Sequence, residues 1–255
     1  MLPTPSTSHV DFDRVYEPAE DSYLLLDTLS SADETAFLHD RFDAASKQPS
    51  SSPLVVEVGV GSGVVLAFVA ANAEIIFGRH DVLTLGTDIN SFACQAASKT
   101  IHNAVKSAQT SIFLDVVNSD LASSLRPHTI DLLIFNPPYV PTRLPDFSRH
   151  DSYNDLPAGQ TSTTFEQDSY LLELAYAGGI DGMEVTNRML EQIPQILSFD
   201  RGVAYLLLCA QNKPEKVKQC VRDWGTGWKA ETIGTSGKKA GWERLQIVKM
   251  WQQKN

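Results

Sequence analysis

The chain has 255 residues, 42% hydrophobic and 20% charged, which excludes wholesale disorder and suits one large α/β domain or two small ones. Lys and Arg number 21 against 31 Asp and Glu, and the net charge of -10 disfavours non-specific binding to nucleic acid, because phosphate contacts need a basic surface. Three widely spaced cysteines (Cys94, Cys209, Cys220) and no apolar run near the roughly 18 residues of a bilayer span argue against a disulfide framework, a metal site and a membrane helix.

The N-terminus opens Met1-Leu2-Pro3-Thr4-Pro5 and lacks the basic-then-apolar pattern of a secretory signal. Residues 1–15 are expected to form a flexible tail ahead of a single domain over 16–255. A helix is expected from Pro18 to Ser30. Pro18 suits its first position, Glu20 and Asp21 sit where the helix dipole favours acids, and Leu24, Leu25 and Leu26 give it an apolar side. A long polar loop over residues 30–53 follows, ending in Pro49-Ser50-Ser51-Ser52-Pro53.

Strands and helices then alternate. Strands are expected at 54–58, 82–87, 112–117, 131–135 and 202–209. Helices are expected over 64–73, 91–107 and 183–197, with Pro194 leaving the last end open. Residues 228–233 and 245–251 read as two further strands joined by a hairpin through 234–241. Such alternation implies a mostly parallel sheet with helices on both faces. Residues 142–164 are polar, carry Pro145, Pro157 and Gly159, and are expected to be a long mobile loop.

Glu57-Val58-Gly59-Val60-Gly61-Ser62-Gly63 is a strand-to-helix turn that can bring backbone close to a ligand at the sheet's C-terminal edge. Its G-x-G-x-G spacing departs from the G-x-G-x-x-G of dinucleotide sites. A carboxylate at Glu57 is a poor neighbour for pyrophosphate and a good one for an ammonium group, which points to S-adenosylmethionine. Asp88 follows the second strand, 25 residues after Gly63, where an acid can accept both ribose hydroxyls; a helix cap is the competing reading. Asp120 and Leu121 follow the third strand, placed for an adenine amino group and ring, although any polar turn looks similar. Glu57, Asp88 and Asp120 thus put one carboxylate after each of three successive strands.

Asn136-Pro137-Pro138-Tyr139 follows the fourth strand. Two prolines remove two backbone donors and stiffen the turn. The Pro137 carbonyl and the Asn136 side-chain oxygen can then hold both protons of an –NH2 group, while the Tyr139 ring stacks on a flat amide or base. A rigid proline turn without chemistry is the plain alternative.

With these segments together, the chain resembles the class I S-adenosylmethionine-dependent methyltransferases that carry an Asn-Pro-Pro-Tyr motif. Within them it is similar to the HemK-like release-factor glutamine methyltransferases of the eukaryotic and archaeal branch. Tyr16-Glu17-Pro18-Ala19-Glu20-Asp21-Ser22 and Ala177-Gly178-Gly179-Ile180-Asp181-Gly182 are the more specific segments, because DNA adenine methyltransferases share the proline motif. The resemblance implies a seven-stranded sheet of order 3-2-1-4-5-7-6. It also implies roles. Ser22 would bind the methionine carboxylate of S-adenosylmethionine, and Glu57, Gly59 and Gly61 its methionine and ribose portion. Asp88 would hold the ribose, and Asp120 with Leu121 the adenine. Asn136, Pro137 and Tyr139 would hold the acceptor glutamine of a release factor and catalyse transfer.

Adenine N6-methylation of nucleic acid and lysine methylation of protein are competing readings; the net charge weighs against the first. The resemblance further implies a heterodimer with a small zinc-binding activator. An edge strand from Ile112 to Val117, apolar at most positions and free of Lys and Pro, is the expected docking site; cover by the N-terminal tail or the 30–53 stretch is the plain alternative. The expected location is the cytoplasm, with the nucleus also open.

Overall fold

A computed structural model of the chain describes residues 2–43, 51–108, 111–156, 162–237 and 244–253. Seven strands form one sheet: β1 (Leu54–Val58), β2 (Leu83–Asp88), β3 (Ile112–Asn118), β4 (Leu132–Phe135), β5 (Val203–Cys209), β6 (Trp228–Thr235) and β7 (Leu245–Gln252). Their order is β3-β2-β1-β4-β5-β7-β6, as expected. The first five pair in parallel, and β7 runs antiparallel to both β5 and β6.

β4 and β5 are buried at every residue, which is why they read as unbroken apolar runs rather than alternating ones. Alternate side chains feed two cores. Val55, Leu132, Ile134 and Val203 pack with α1 (Glu20–Leu29), α3 (Val64–Ala71) and α5 (Ser91–Ala108). Val56, Leu133, Ala204 and Leu206 pack with α8 (Glu184–Ile196) and α9 (Pro214–Arg222) on the opposite face. This period-two division fixes the register, since a slip of one residue would exchange the two cores. The short α4 (Ala73–Phe77) extends α3 after a break at Asn72. Pro194 does not end α8, which runs two residues further.

Three expectations are corrected. The segment ahead of residue 16 is anchored: Val10 and Val15 are buried against Ala93, and Asn90 Nδ2 donates to the Arg14 carbonyl at 2.8 Å. The stretch 30–53 contains α2 (Ala32–Arg41), capped by the Ser31 side chain accepting from Glu34 N. Glu34 points inward, where it accepts from Tyr205 Oη and pairs with Lys249 Nζ at 3.1 Å. The inward side of α2 sets Glu34 beside Leu38, which breaks the apolar stripe that would mark a helix. The stretch 142–164 holds a 3-10 turn (Phe147–Arg149) and α6 (His150–Tyr153), which lean on α7 (Phe165–Tyr176) through a Tyr153–Tyr170 ring contact of 5.4 Å. Residues 44–50 and 157–161 of these stretches, and most of the expected turn between β6 and β7, lie outside the described residues.

β3 and β6 are the sheet edges. On β3, Ile112 and Leu114 are 51% and 49% exposed, whereas Phe113 packs on the core. Leu114 is the extra residue of a bulge, since Thr84 pairs with Phe113 and Leu85 with Asp115. Among the described residues, no helix is long and apolar enough to cross a membrane.

Candidate active site

A cavity of about 350 Å³ opens at the C-terminal ends of β1, β2 and β4. All ten residues singled out from the sequence line it: Ser22, Glu57, Gly59, Gly61, Asp88, Asp120, Leu121, Asn136, Pro137 and Tyr139. Its size suits a small organic cofactor. The far wall is apolar, built from Leu144, Pro145 and Phe147 with Leu171 and Leu174 of α7.

The carboxylates do not play equal parts. Glu57 is buried, and its Oε2 accepts from Leu66 N at 2.8 Å, which caps the first turn of α3. Burial holds its carboxyl well above the usual range. One Glu57 oxygen therefore serves the fold rather than a ligand. Asp88 accepts from Gly61 N through Oδ2 and from Asn90 N through Oδ1, both at 2.9 Å. The Ile89 backbone also donates to this carboxylate. Burial raises this carboxyl to about 6. The helix cap falls to Asn90, whose Oδ1 accepts from Phe92 N and Ala93 N at 2.9 and 3.2 Å. Asp120 is half-exposed and forms an ion pair with Arg188, a cavity-lining residue that the sequence did not single out. Leu121 beside it adopts φ 53° and is buried.

Gly63 lies outside the cavity lining. A Cβ there would come within 2.7 Å of Ala97 Cα, so this glycine lets α3 and α5 meet. Thr100 Oγ1 of α5 donates to the Ser62 carbonyl at 2.7 Å, a second tie between that helix and the loop.

The Asn-Pro-Pro-Tyr turn is held from two sides. Asp21 of α1 is 3% exposed, and its Oδ2 accepts from Asn136 Nδ2 at 3.0 Å. A carboxylate that accepts from Ser22 N as well, at 2.6 Å, offers the Asn136 amide no donor. The Asn136 NH2 must face Asp21, and the Asn136 Oδ1 faces away. That Oδ1 is buried and has no hydrogen-bond partner among the described residues. From the other side, Gly182 abuts the turn so closely that a Cβ would sit 2.0 Å from the Tyr139 carbonyl oxygen. Gly178 abuts it too, since a Cβ there would sit 2.4 Å from the Pro138 carbonyl oxygen, so close approach to the turn accounts for both of these glycines.

Asp21 and Arg188 were missed as site residues because their signals are local ones. Asp21 at a helix start satisfies the dipole rule completely, and only the fold brings it beside a residue 115 positions away. Among the described residues, no group of three or more His, Cys, Asp or Glu is placed to hold a metal ion.

No protein-family model matches the chain. It is 31% identical to the eRF1 methyltransferase catalytic subunit mtq2 of Schizosaccharomyces pombe over 99% of this chain and 96% of that protein. It is 33% identical to the methyltransferase HEMK2 of Homo sapiens over 96% of this chain and 95% of that protein. A Methanocaldococcus jannaschii protein, provisionally named a protein N5-glutamine methyltransferase, is 27% identical over 93% of this chain and 92% of its own length. In fold, the catalytic domain of hMettl16, solved with an RNA hairpin, aligns with a TM-score of 0.50 at 14% identity, covering 94% of this chain and 72% of that one. Full-length similarity to the curated relatives, with the glycine loop and the proline turn meeting in one cavity, places the chain in the S-adenosylmethionine-dependent methyltransferase family that includes mtq2 and HEMK2.

Proposed function

We propose that the chain methylates the side-chain amide nitrogen of a glutamine in a class I peptide chain release factor. The observation that carries this reading is the orphaned Asn136 Oδ1, a buried acceptor held in one orientation by Asp21. Buried acceptors are rarely left without a donor, so an N–H from outside the chain is the natural partner. The names of the fungal and archaeal relatives, an eRF1 methyltransferase and an N5-glutamine methyltransferase, support a glutamine amide as its source.

When bound, S-adenosylmethionine supplies an electrophilic methyl group on a sulfonium. Ser22, Glu57, Gly59, Gly61, Asp88, Asp120 and Leu121 would hold it. An ionised Asp88 carboxylate at the cavity wall suits ribose hydroxyls. Asp120 would have to share its carboxylate with Arg188 to reach an adenine amino group. An amide nitrogen is a weak nucleophile because its lone pair is delocalised into the carbonyl. Asn136 Oδ1 and the Pro137 carbonyl, drawing on its two N–H bonds, favour rehybridisation as the nitrogen attacks, and Tyr139 packs on the amide plane. Catalysis is then positioning plus electrostatic stabilisation. No general base is needed before attack, since the proton leaves afterwards.

The reading includes a small zinc-binding activator docked along β3, for which the exposed Ile112 and Leu114 and the unpaired edge are the support. It also includes a reducing, cytoplasmic setting, supported by three free cysteines. Transfer of labelled methyl groups to a panel of release factor, histone and DNA, with mass-spectrometric location of the mark, tests the assignment. A glutamine in the release factor is the expected position. Label confined to lysine or adenine would overturn it.

A further inference from the structure

We propose that Asn212 is a positioning residue for methyl transfer, and that its amide fixes the placement of the Asn-Pro-Pro-Tyr turn and thereby of Asn136. The proposal rests on the reading that Asn136 serves the acceptor nitrogen. Asn212 does not line the cavity and is 2% exposed, in a 3-10 turn (Ala210–Asn212) directly after β5.

Its side chain joins three backbone segments. Oδ1 accepts from Cys209 N at 2.8 Å, which ties it to the end of β5. Nδ2 donates to the Tyr139 and Asp181 carbonyls at 3.2 Å and to the Gly182 carbonyl at 3.3 Å. Two N–H groups thus serve three carbonyls, one of them on the last residue of the proline turn. Pro137 and Pro138 lack N–H groups, so this turn has few donors of its own and must be gripped through its carbonyls.

The surroundings carry strain. Asp181 and Lys213, one on each side of the Asn212 amide, adopt φ 56° and φ 55°, a region non-glycine residues rarely occupy. Such conformations persist where neighbouring structure over-determines them, and they gather at functional sites. The Lys213–Asp181 ion pair, at 2.6 Å, joins two half-exposed side chains and is too screened to enforce them alone. The buried amide of Asn212 is the stronger restraint.

The test compares the full-length chain with N212A and N212D by thermal midpoint, cofactor Kd, kcat and KM on release factor. It adds the NMR resonance of the Asn136 side-chain NH2, assigned through N136A. N212A should keep cofactor affinity within about twofold and lose kcat by roughly 10- to 100-fold, the scale expected of an ångström-level misplacement. The Asn136 resonance should move. N212D is nearly isosteric and keeps the acceptor for Cys209 N, but it sets an oxygen against three carbonyls, so its loss should exceed that of N212A. Lowering the pH should partly restore N212D, because a protonated carboxyl regains a donor. A merely structural asparagine predicts the reverse order, with N212D the milder variant and cofactor affinity falling together with kcat. That pattern, or wild-type kcat with an unmoved Asn136 resonance, overturns the proposal. If N212A fails to fold, N212D carries the same readouts. A wild-type chain inactive on release factor even with its proposed activator present would overturn the functional reading instead, and the Asn136 resonance would still decide the role of Asn212.

Discussion

Asp21→Asn should disable the acceptor site by turning one amide over. In the native chain, Ser22 N donates to Asp21 Oδ1 at 2.6 Å, and Asn136 Nδ2 donates to Asp21 Oδ2 at 3.0 Å. In D21N the new amide oxygen stays with Ser22, whose N and Oγ both donate on that side, which places the new NH2 opposite Asn136. Asn136 then either flips, presenting its own NH2 to the substrate, or keeps its orientation with two donors opposed. An unsatisfied buried donor costs about 1–3 kcal/mol, equivalent to a loss in kcat of roughly 5- to 150-fold. D21A supplies no opposing donor, and water can fill the vacated space, so it should lose less than D21N. Initial rates with labelled cofactor on release factor, alongside calorimetric cofactor affinity, make the comparison. A D21N enzyme working at the wild-type rate would refute the assigned orientation. So would a D21N enzyme whose cofactor affinity falls as far as its rate.

Asn136→Ala should abolish transfer while cofactor affinity stays near wild type; calorimetry showing the affinity lost first would move this residue into the cofactor shell. Cofactor affinity should fall as the pH drops below about 6, by at most about tenfold per unit, because in the proposed cofactor pose ribose hydroxyls donate to the ionised Asp88 carboxylate. A D88N variant should bind more weakly at neutral pH and show a flat profile over that window. The stability of the free chain carries the opposite sign: with Asp88 raised to about 6 by burial, its ionisation costs up to about 3 kcal/mol as pH rises from about 4 through 6. Denaturant titrations of wild type and D88N at pH 4 and 7 check this, and equal differences at both would refute it. Leu114→Lys should break the proposed complex with a zinc-binding activator and leave the cofactor site intact, as pull-down with parallel calorimetry would show. Leu114 suits this test better than Phe113, whose ring packs on the core.

The sheet was legible because β4 and β5 are fully buried apolar runs, β1 lies between Pro53 and Gly59, and the edge strand β3 is itself rich in Ile, Phe, Leu and Val. β1 was read at its observed limits, and the other strands to within about two residues. Helices that carry their inward contacts through polar atoms were not. The inward-facing glutamate of α2 hid that helix in a stretch that reads as polar loop. α7 and α9 were missed despite local signals. Thr164 and Gln167 form a capping box ahead of α7, and Pro214 occupies the first position of α9. Apart from Ser22 on α1, the candidate site residues were legible because they stand at or just after strand ends, and strand ends converge in this topology. What escaped were the groups acting on those residues. Asp21 and Asn212 lie 115 and 73 positions from their partners in the proline turn, and no spacing rule reaches that far.

The contact of Gly63 with Ala97 and the bond from Thr100 to the Ser62 carbonyl have a practical use. Together they make the glycine loop and α5 move as one body, so displacement of that loop on ligand binding must also displace the outer face of the helix. Lys99 and Asn103 are exposed on that face, outside the cavity. A fluorophore at either position would report cofactor occupancy without touching the ligand. Thr100→Val, by cutting one of the two ties, should mute the signal while occupancy itself continues.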